Sequence, residues 1–352
     1  MNLYFKRIFP FLLSVIFLTA SVLISMEINR LPNLSSASTS EQEDAVSKEE
    51  PSIQPASESE QKISEPEMRA VWVPYMSLDM RNTDMSETTF QKKFDEIIST
   101  AQEKGMNALI VHVRPFGDAL YPSEYFPWSH LLTGTQGVNP GYDPLEYMVQ
   151  AAHEAGMEIH AWINPLRIQT SETPEVLSQN NPYSVWQRDE EKKNWTVDLS
   201  TGKYYNPAYE EVRNLIAAGV REIVKNYDVD GIQFDDYFYP TEDPSFDQDA
   251  YQNYLTEMGN ETTAMELTEW RRANINALVS LVYAEIKAEK PDVIFGISPQ
   301  GNIENDMKMG ADVYSWCEAA GYVDYICPQL YFNFDNPVLP FDQGGAWQER
   351  RH

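Results

Sequence analysis

Asp230–Pro240 reads DGIQFDDYFYP. Side chains alternate across a strand, so Ile232 and Phe234 share one face and Gln233, Asp235 and Tyr237 the other. The apolar pair belongs against helices and the polar trio inside a barrel near its mouth. Asp236 follows where the strand gives way to a loop. Working outward, five more short β-rich runs appear: Arg69–Val73, Asn107–Val113, Glu158–Ile163, Val293–Ser298 and Val323–Leu330. Helical patterns separate them. Phe90, Phe94, Ile97, Ile98 and Ala101 recur at helical spacing before Gly105. Asp143-Pro144-Leu145-Glu146 combines an N-cap, an N1 proline and an N3 glutamate. Further helices are expected over Pro207–Asn226, Leu267–Glu289 and Asp312–Ala320. Strands joined through helices predict parallel βαβ units with right-handed crossovers.

Two architectures fit, a (β/α)8 barrel and a doubly wound open sheet. No GxGxxG or P-loop follows the first strand, which disfavours a nucleotide-binding sheet. Polar and aromatic residues collect at the C-terminal ends of several strands, as in barrels. The expected fold is therefore α/β of the (β/α)8 TIM-barrel type, incomplete, with about six βα units. Two missing strands would leave two open edges, which the reading ascribes to truncation or to a partner-supplied wall.

The chain has 352 residues, 42% hydrophobic and 23% charged, with 26 basic against 54 acidic side chains and a net charge of −28. Phosphate backbones would repel it, so nucleic acid drops out as a partner. Two cysteines, Cys317 and Cys327, exclude a disulfide scaffold and a Cys-rich zinc site; both are expected as buried thiols, the alternative being a Cys317–Cys327 pairing. Lys6 and Arg7 precede an apolar run, Ile8–Ser25, whose 18 residues lie near the roughly 17–25 that span a bilayer. Residues 1–30 are read as a signal anchor holding the rest outside the membrane, the alternative being a cleaved signal peptide. Residues 31–66 hold nine Ser, four Pro and eight acidic residues and no aromatic one. That composition predicts a disordered linker. Residues 67–343 form the expected domain and 344–352 an atypical tail. Residues 1–66 contain five basic and nine acidic groups, so the remainder carries −24.

An inward carboxylate among aromatic and planar polar groups suits sugar chemistry. Aromatic faces stack on sugar rings, amides read hydroxyls, and a carboxylate stabilises an oxocarbenium-like transition state. The competing reading is a scaffold pair of Asp235 with Arg114 or Arg69. His112 and Arg114 end the second strand, and Arg114 has the bidentate geometry for a sugar carboxylate. Trp162, Asn164, Gln300 and Gln329 are expected along the cleft. Trp72 is read as core or stacking platform, and His153 as surface. The histidines make no HExxH or HxxxH, and no GxSxG occurs, so a zinc hydrolase and a serine esterase are weak readings. No metal or cofactor is expected. The Asp-rich stretch Tyr239–Gln252 is read as solvated acid in preference to a calcium loop. Trp195–Gly202 is read as a loop over the cleft.

Six blocks occur in order: RAVWV, HVRPFGDALYPSEYFPWS, GYDPLEYMVQAAHEAGMEIHAWINP, DGIQFDDYFYP, ISPQGN and VDYICPQLYF. Over about residues 66–343 they resemble the glycosyl-hydrolase-like family 10 domain. The resemblance implies an extracytoplasmic (β/α)8 glycosidase-like domain acting on bacterial cell-wall glycan. The family pattern continues through two further strands, and this chain departs from it after about Gln343. More distantly, DGIQFDDYFYP resembles the DGxDxDxEYP strand of chitinases. On that match Asp235 stands at the last Asp, Tyr237 replaces the acid Glu, and Tyr331 matches a tyrosine contacting the substrate acetamide. This implies an N-acetyl group acting as nucleophile, oriented by Asp235; the acid is not carried over, and its candidates are Asp236 or a loop carboxylate such as Glu124, with Asp198 in the 195–202 loop a secondary one.

The expectation is a glycoside hydrolase with Asp235 and Asp236 catalytic. His112, Arg114, Trp162, Asn164, Tyr237, Gln300, Gln329 and Tyr331 would bind substrate. Its partners would be cell-wall polysaccharide and, through the N-terminal helix, the membrane. The alternatives are a silent glycan-binding module and a partner-dependent envelope protein.

Overall fold

The computed structural model describes residues 67–341, apart from 172, 260–263 and 338. The expected signal anchor, linker and atypical tail lie outside the described residues. Among the described residues no helix is long and apolar enough to cross a membrane.

Among the described residues nine strands occur: β1 Ala70–Val73, β2 Ala108–Arg114, β3 Glu158–Ile163, β4 Arg167–Thr170, β5 Thr196–Leu199, β6 Gly202–Tyr205, β7 Gly231–Phe234, β8 Ile294–Ile297 and β9 Tyr325–Ile326. Six form one parallel sheet in the order β1-β2-β3-β7-β8-β9. Neighbours in space are successive along the chain, with no point where the order reverses. A doubly wound sheet must reverse; a barrel wall does not. The sheet is thus six consecutive strands of a barrel-type wall, with β1 and β9 at its edges.

Helices follow the strands as the apolar spacing requires. Ser86 caps Glu87–Glu103, which buries Phe90, Phe94, Ile98 and Ala101. Asp143 caps Pro144–Glu154, accepting the Leu145 and Glu146 amides at 3.0 and 3.2 Å. Glu210–Asn226 turns Val212, Ile216, Val220 and Ile223 inward, and Leu267–Glu289 buries Leu278, Val279, Val282 and Ile286. All seven residues of β2 are buried, as expected of a parallel strand covered on both faces.

Three expectations fail. Trp195–Gly202 is not a loop: β5 and β6 make a hairpin that joins β4 in a small antiparallel sheet, order β4-β6-β5. The Asp-rich stretch is not simply solvated acid. Asp247 is buried against Arg271 (2.6 Å), and the helix Gln248–Met258 begins beside it. The thiols are not both buried: Cys317 is exposed and Cys327 half-buried, and they are not joined to each other.

The wall's inner face carries a polar layer. Gln233, Gly296 and Tyr325 stand in register across β7, β8 and β9. The Tyr325 hydroxyl donates to Gln233 Oε1 and accepts from His160 Nδ1 (2.9 Å). Burial lowers the His160 pKa to about 4, so the imidazole is neutral and its Nδ1–H is free to donate.

Candidate active site

β7 alternates as its sequence requires. Ile232 and Phe234 pack into the apolar core, and Phe234 meets Phe295 edge-on at 5.1 Å. Gln233 lies on the opposite face, fully buried. Just past the strand, the Asp235 carboxyl is 2% exposed. Trp162 Nε1 donates to its Oδ2 at 3.0 Å and the Tyr237 amide to its Oδ1 at 3.3 Å. Burial lifts its pKa to about 7. The Arg167 charge pulls the other way, and neighbouring Asp236 adds to the rise. Near neutral pH Asp235 is therefore partly in its acid form, where an ordinary aspartate is ionised.

Trp162 is fixed by its neighbours. It lies flat on His112, with centroids 3.7 Å apart and planes 8° from parallel, and meets Trp72 edge-on at 4.9 Å. His112 Nε2 donates to Asn164 Oδ1 at 2.5 Å. Burial, reinforced by the Arg167 charge, holds the imidazole well below its usual pKa, so His112 is a neutral wall group. His112, Trp162, Asn164, Asp235 and Tyr237 thus form one cluster.

A second cluster adjoins it. Asp236, Gln300, Gln329 and Tyr331 line a cleft of about 410 Å³ with Asn302 and Phe332. Gln329 Nε2 donates to Asp236 Oδ1 at 2.9 Å and to the Ser298 carbonyl at 3.0 Å. Asp236 is only half-buried, yet burial still raises its pKa, opposed by the Gln329 amide. Tyr237 and Tyr331 are 52% and 80% exposed; Arg167 covers one face of the Tyr237 ring, which leaves the other for a ligand.

Arg114 joins neither cluster. The β2–β3 register slips between His112 and Arg114, pairing Arg114 with the outward-facing Ile163. Such a bulge re-aims every later side chain. Arg114 is therefore buried on the helix side, its guanidinium 4.2 Å from the Phe126 ring centroid. A Cβ on Gly219, in the covering helix, would stand 2.8 Å from its Nη1. Both terminal guanidinium nitrogens lack a hydrogen-bond partner and Glu222 acts on them only at a distance, so Arg114→Met is expected to keep or raise the melting temperature and leave glycan affinity unchanged. Reduced affinity in a variant that melts normally would contradict this placement.

The cation at the site is Arg167, which sequence reasoning missed. It opens β4, donates from Nε to the Pro115 carbonyl at 2.9 Å, and lies between the Phe116 and Tyr237 rings, 5.1 and 4.9 Å from their centroids. Neither scaffold partner expected for Asp235 is present, since Arg69 caps the Gly105 carbonyl elsewhere. Because the Arg167 charge restrains the Asp235 pKa, Arg167→Gln should move it further up. Carbon-13 NMR titration of the Asp235 carboxyl checks this, and an unchanged midpoint would refute the coupling.

The other acid candidates belong to neither cluster. Glu124 is exposed, and its amide donates to Glu222 Oε1. Asp198 pairs with Lys203 at 2.5 Å. His153 is partly exposed and meets Asp230 at 2.9 Å. Among the described residues no cluster of His, Cys, Asp or Glu is arranged to hold a metal ion.

The glycosyl hydrolase YngK of Bacillus subtilis is 35% identical over 308 residues, 81% of this chain and 58% of its own length. The glycosyl hydrolase DigH of Escherichia coli is 34% identical over 303 residues, 79% of this chain and 66% of its own. The chain thus spans about six-tenths of these relatives. Among solved structures, the PgaB (BpsB) glycoside hydrolase domain from Bordetella bronchiseptica superposes with a TM-score of 0.50 at 13% identity, covering 75% of this chain and 74% of that one. At that identity the likeness concerns the fold. The family model described as glycosyl hydrolase-like 10 matches residues 67–351, and the chain belongs to that family.

Proposed function

We propose that the chain is an extracytoplasmic glycoside hydrolase acting on the N-acetylated glycan of the bacterial cell wall, with Asp235 as its central carboxylate. One observation carries the reading: two adjacent carboxyls at the mouth of a barrel-type strand, both lifted above the ordinary range, one sealed and one open to the cleft. Carboxyls whose environments separate their roles mark acid–base work on glycosidic bonds. A pKa of about 7 suits proton transfer at neutral pH.

Asp236 is the carboxyl placed to meet a sugar, steadied by Gln329. Asp235 stands behind it, and its acid form at neutral pH can hold an acetamide or feed a proton toward the cleft. Tyr237 and Tyr331 offer exposed faces for a sugar ring. The cell-wall substrate and the location outside the membrane rest on the family resemblance, and the acetamide nucleophile on the chitinase-like strand.

The test uses the full chain with peptidoglycan glycan strands, with and without stem peptides, beside Asp236→Asn. Mass spectrometry should find sugar fragments from the parent and at least about 100-fold less from the variant. A folded parent that retains glycan and releases nothing would leave a glycan-binding module instead.

A further inference from the structure

Beneath the cleft lies a third carboxyl, Asp306, on the short helix Ile303–Lys308. It is 1% exposed. Its Oδ1 accepts the Gln300 amide at 3.0 Å, and its Oδ2 has no hydrogen-bond partner. A buried carboxylate with one oxygen unsatisfied is costly, whereas the acid form is tolerated. The turn it holds is packed hard. A Cβ on Gly301 would stand 2.7 Å from the Gln329 carbonyl and 2.4 Å from the Phe332 ring. Gln300 and Gln329 are bridged, and Gln329 is the residue that donates to Asp236.

We propose that Asp306 is a positioning residue of this site: its buried carboxyl clamps the Gln300–Gly301 turn against Gln329, and Gln329 in turn holds Asp236. The inference rests on the reading of Asp236 as the carboxyl that meets substrate. Burial pushes the Asp306 pKa up to about 8, the Gln300 amide opposes that rise, and the charge of Asp236 adds to it. Asp236, at the end of β7, is the charged group acting on it from the packed elements. From the turn before the helix, the Gln300 backbone amide reaches its carboxyl. Tyr239, packed against Gly310, is a phenol that burial keeps neutral. Glu304 and Lys308, on its own helix, are exposed. Ionisation of Asp306 above about pH 8 sets two negative charges across the Gln300–Gln329 bridge and weakens the clamp.

Two variants separate the clamp from plain packing. Asp306→Asn keeps an acceptor for the Gln300 amide and cannot ionise. On glycan strands it should stay within about threefold of parental kcat/KM at pH 7 and lose less activity at pH 9 than the parent does. Asp306→Leu removes the acceptor and should lower kcat by about tenfold or more with a smaller change in KM, as expected when a group is misplaced at the reacting centre. Carbon-13 NMR of the Asp236 carboxyl gives a readout that needs no turnover. The parent should show a second inflection near pH 8, and Asp306→Asn should lack it. If the parent cleaves nothing, the proposed function fails while the titration still judges the clamp. Identical Asp236 titrations in parent and Asp306→Asn would overturn it, as would parental pH dependence of activity in that variant.

Discussion

Asp235→Asn is expected to lose about a thousandfold in kcat/KM on glycan strands and to be more stable than the parent at pH 8. The two effects share one cause. The Trp162 indole and the Tyr237 amide donate to different oxygens of Asp235, so Asn keeps an acceptor for one of them and loses the other hydrogen bond, at a cost of about 1 kcal/mol. What disappears is a buried group that must ionise. The folded-state pKa is raised, so folding favours the protonated form. The acid is tolerated fully below the unfolded value near 4, and stability falls as pH rises through the folded value of about 7. A rise of that size corresponds to roughly 4 kcal/mol once the group is fully ionised. The variant should melt higher at pH 8 by on the order of 5–10 °C and no higher than the parent near pH 4, where only the lost hydrogen bond counts. Thermal unfolding at the two pH values checks this, and equal melting temperatures at pH 8 would show that Asp235 carries no buried-charge cost.

Gly296→Ala carries the largest expected loss of stability. In register with Gln233 and Tyr325, Gly296 leaves the space that the Tyr325 ring fills. An added Cβ would stand 2.1 Å from the ring and 2.6 Å from Gln233 Oε1. Neither group can withdraw, because the Tyr325 hydroxyl is held by Gln233 and His160. Overpacking of this kind costs about 3 kcal/mol or more and should break the layer beneath Asp235. Urea denaturation measures the loss, and Gly296→Ala paired with Tyr325→Ala should recover part of it. A variant as stable as the parent would show that the layer is not tightly packed.

The parts of the fold that follow from periodicity were legible in the sequence. Phe90, Phe94 and Ala101 marked one helix, and the Asp143 cap another. Alternation in DGIQFDDYFYP separated Ile232 and Phe234 from Gln233. Parallel βαβ order followed from strands joined through helices, and the successive spatial order decided between the two candidate sheets.

What the sequence hid has definite physical reasons. Strict alternation placed Arg114 beside His112, but a one-residue bulge turned it outward, and a bulge between two buried residues has no composition of its own. Arg167 lay beyond the strand end, in a stretch to which the sequence reading gave no element. Its signal was the alternation of Arg167–Thr170 against Gly202–Tyr205, too short to rank as a sheet by itself. The helix Gln248–Met258 was masked by the acidic residues before it, because the pairing of Asp247 with Arg271 spans 24 positions. Asp306 sits on a six-residue helix, too short to show a period, so neither its burial nor its contact with Gln300 was visible.

The central claim is that Asp235 titrates near neutrality as part of a glycosidase site. The most direct test is kcat/KM on glycan strands from pH 5 to pH 9, for the parent and Asp235→Asn side by side. The account predicts a parental profile that descends through about pH 7 and a variant with only residual activity and no such limb. A folded Asp235→Asn that cleaves as the parent does, with the same descending limb, would contradict it.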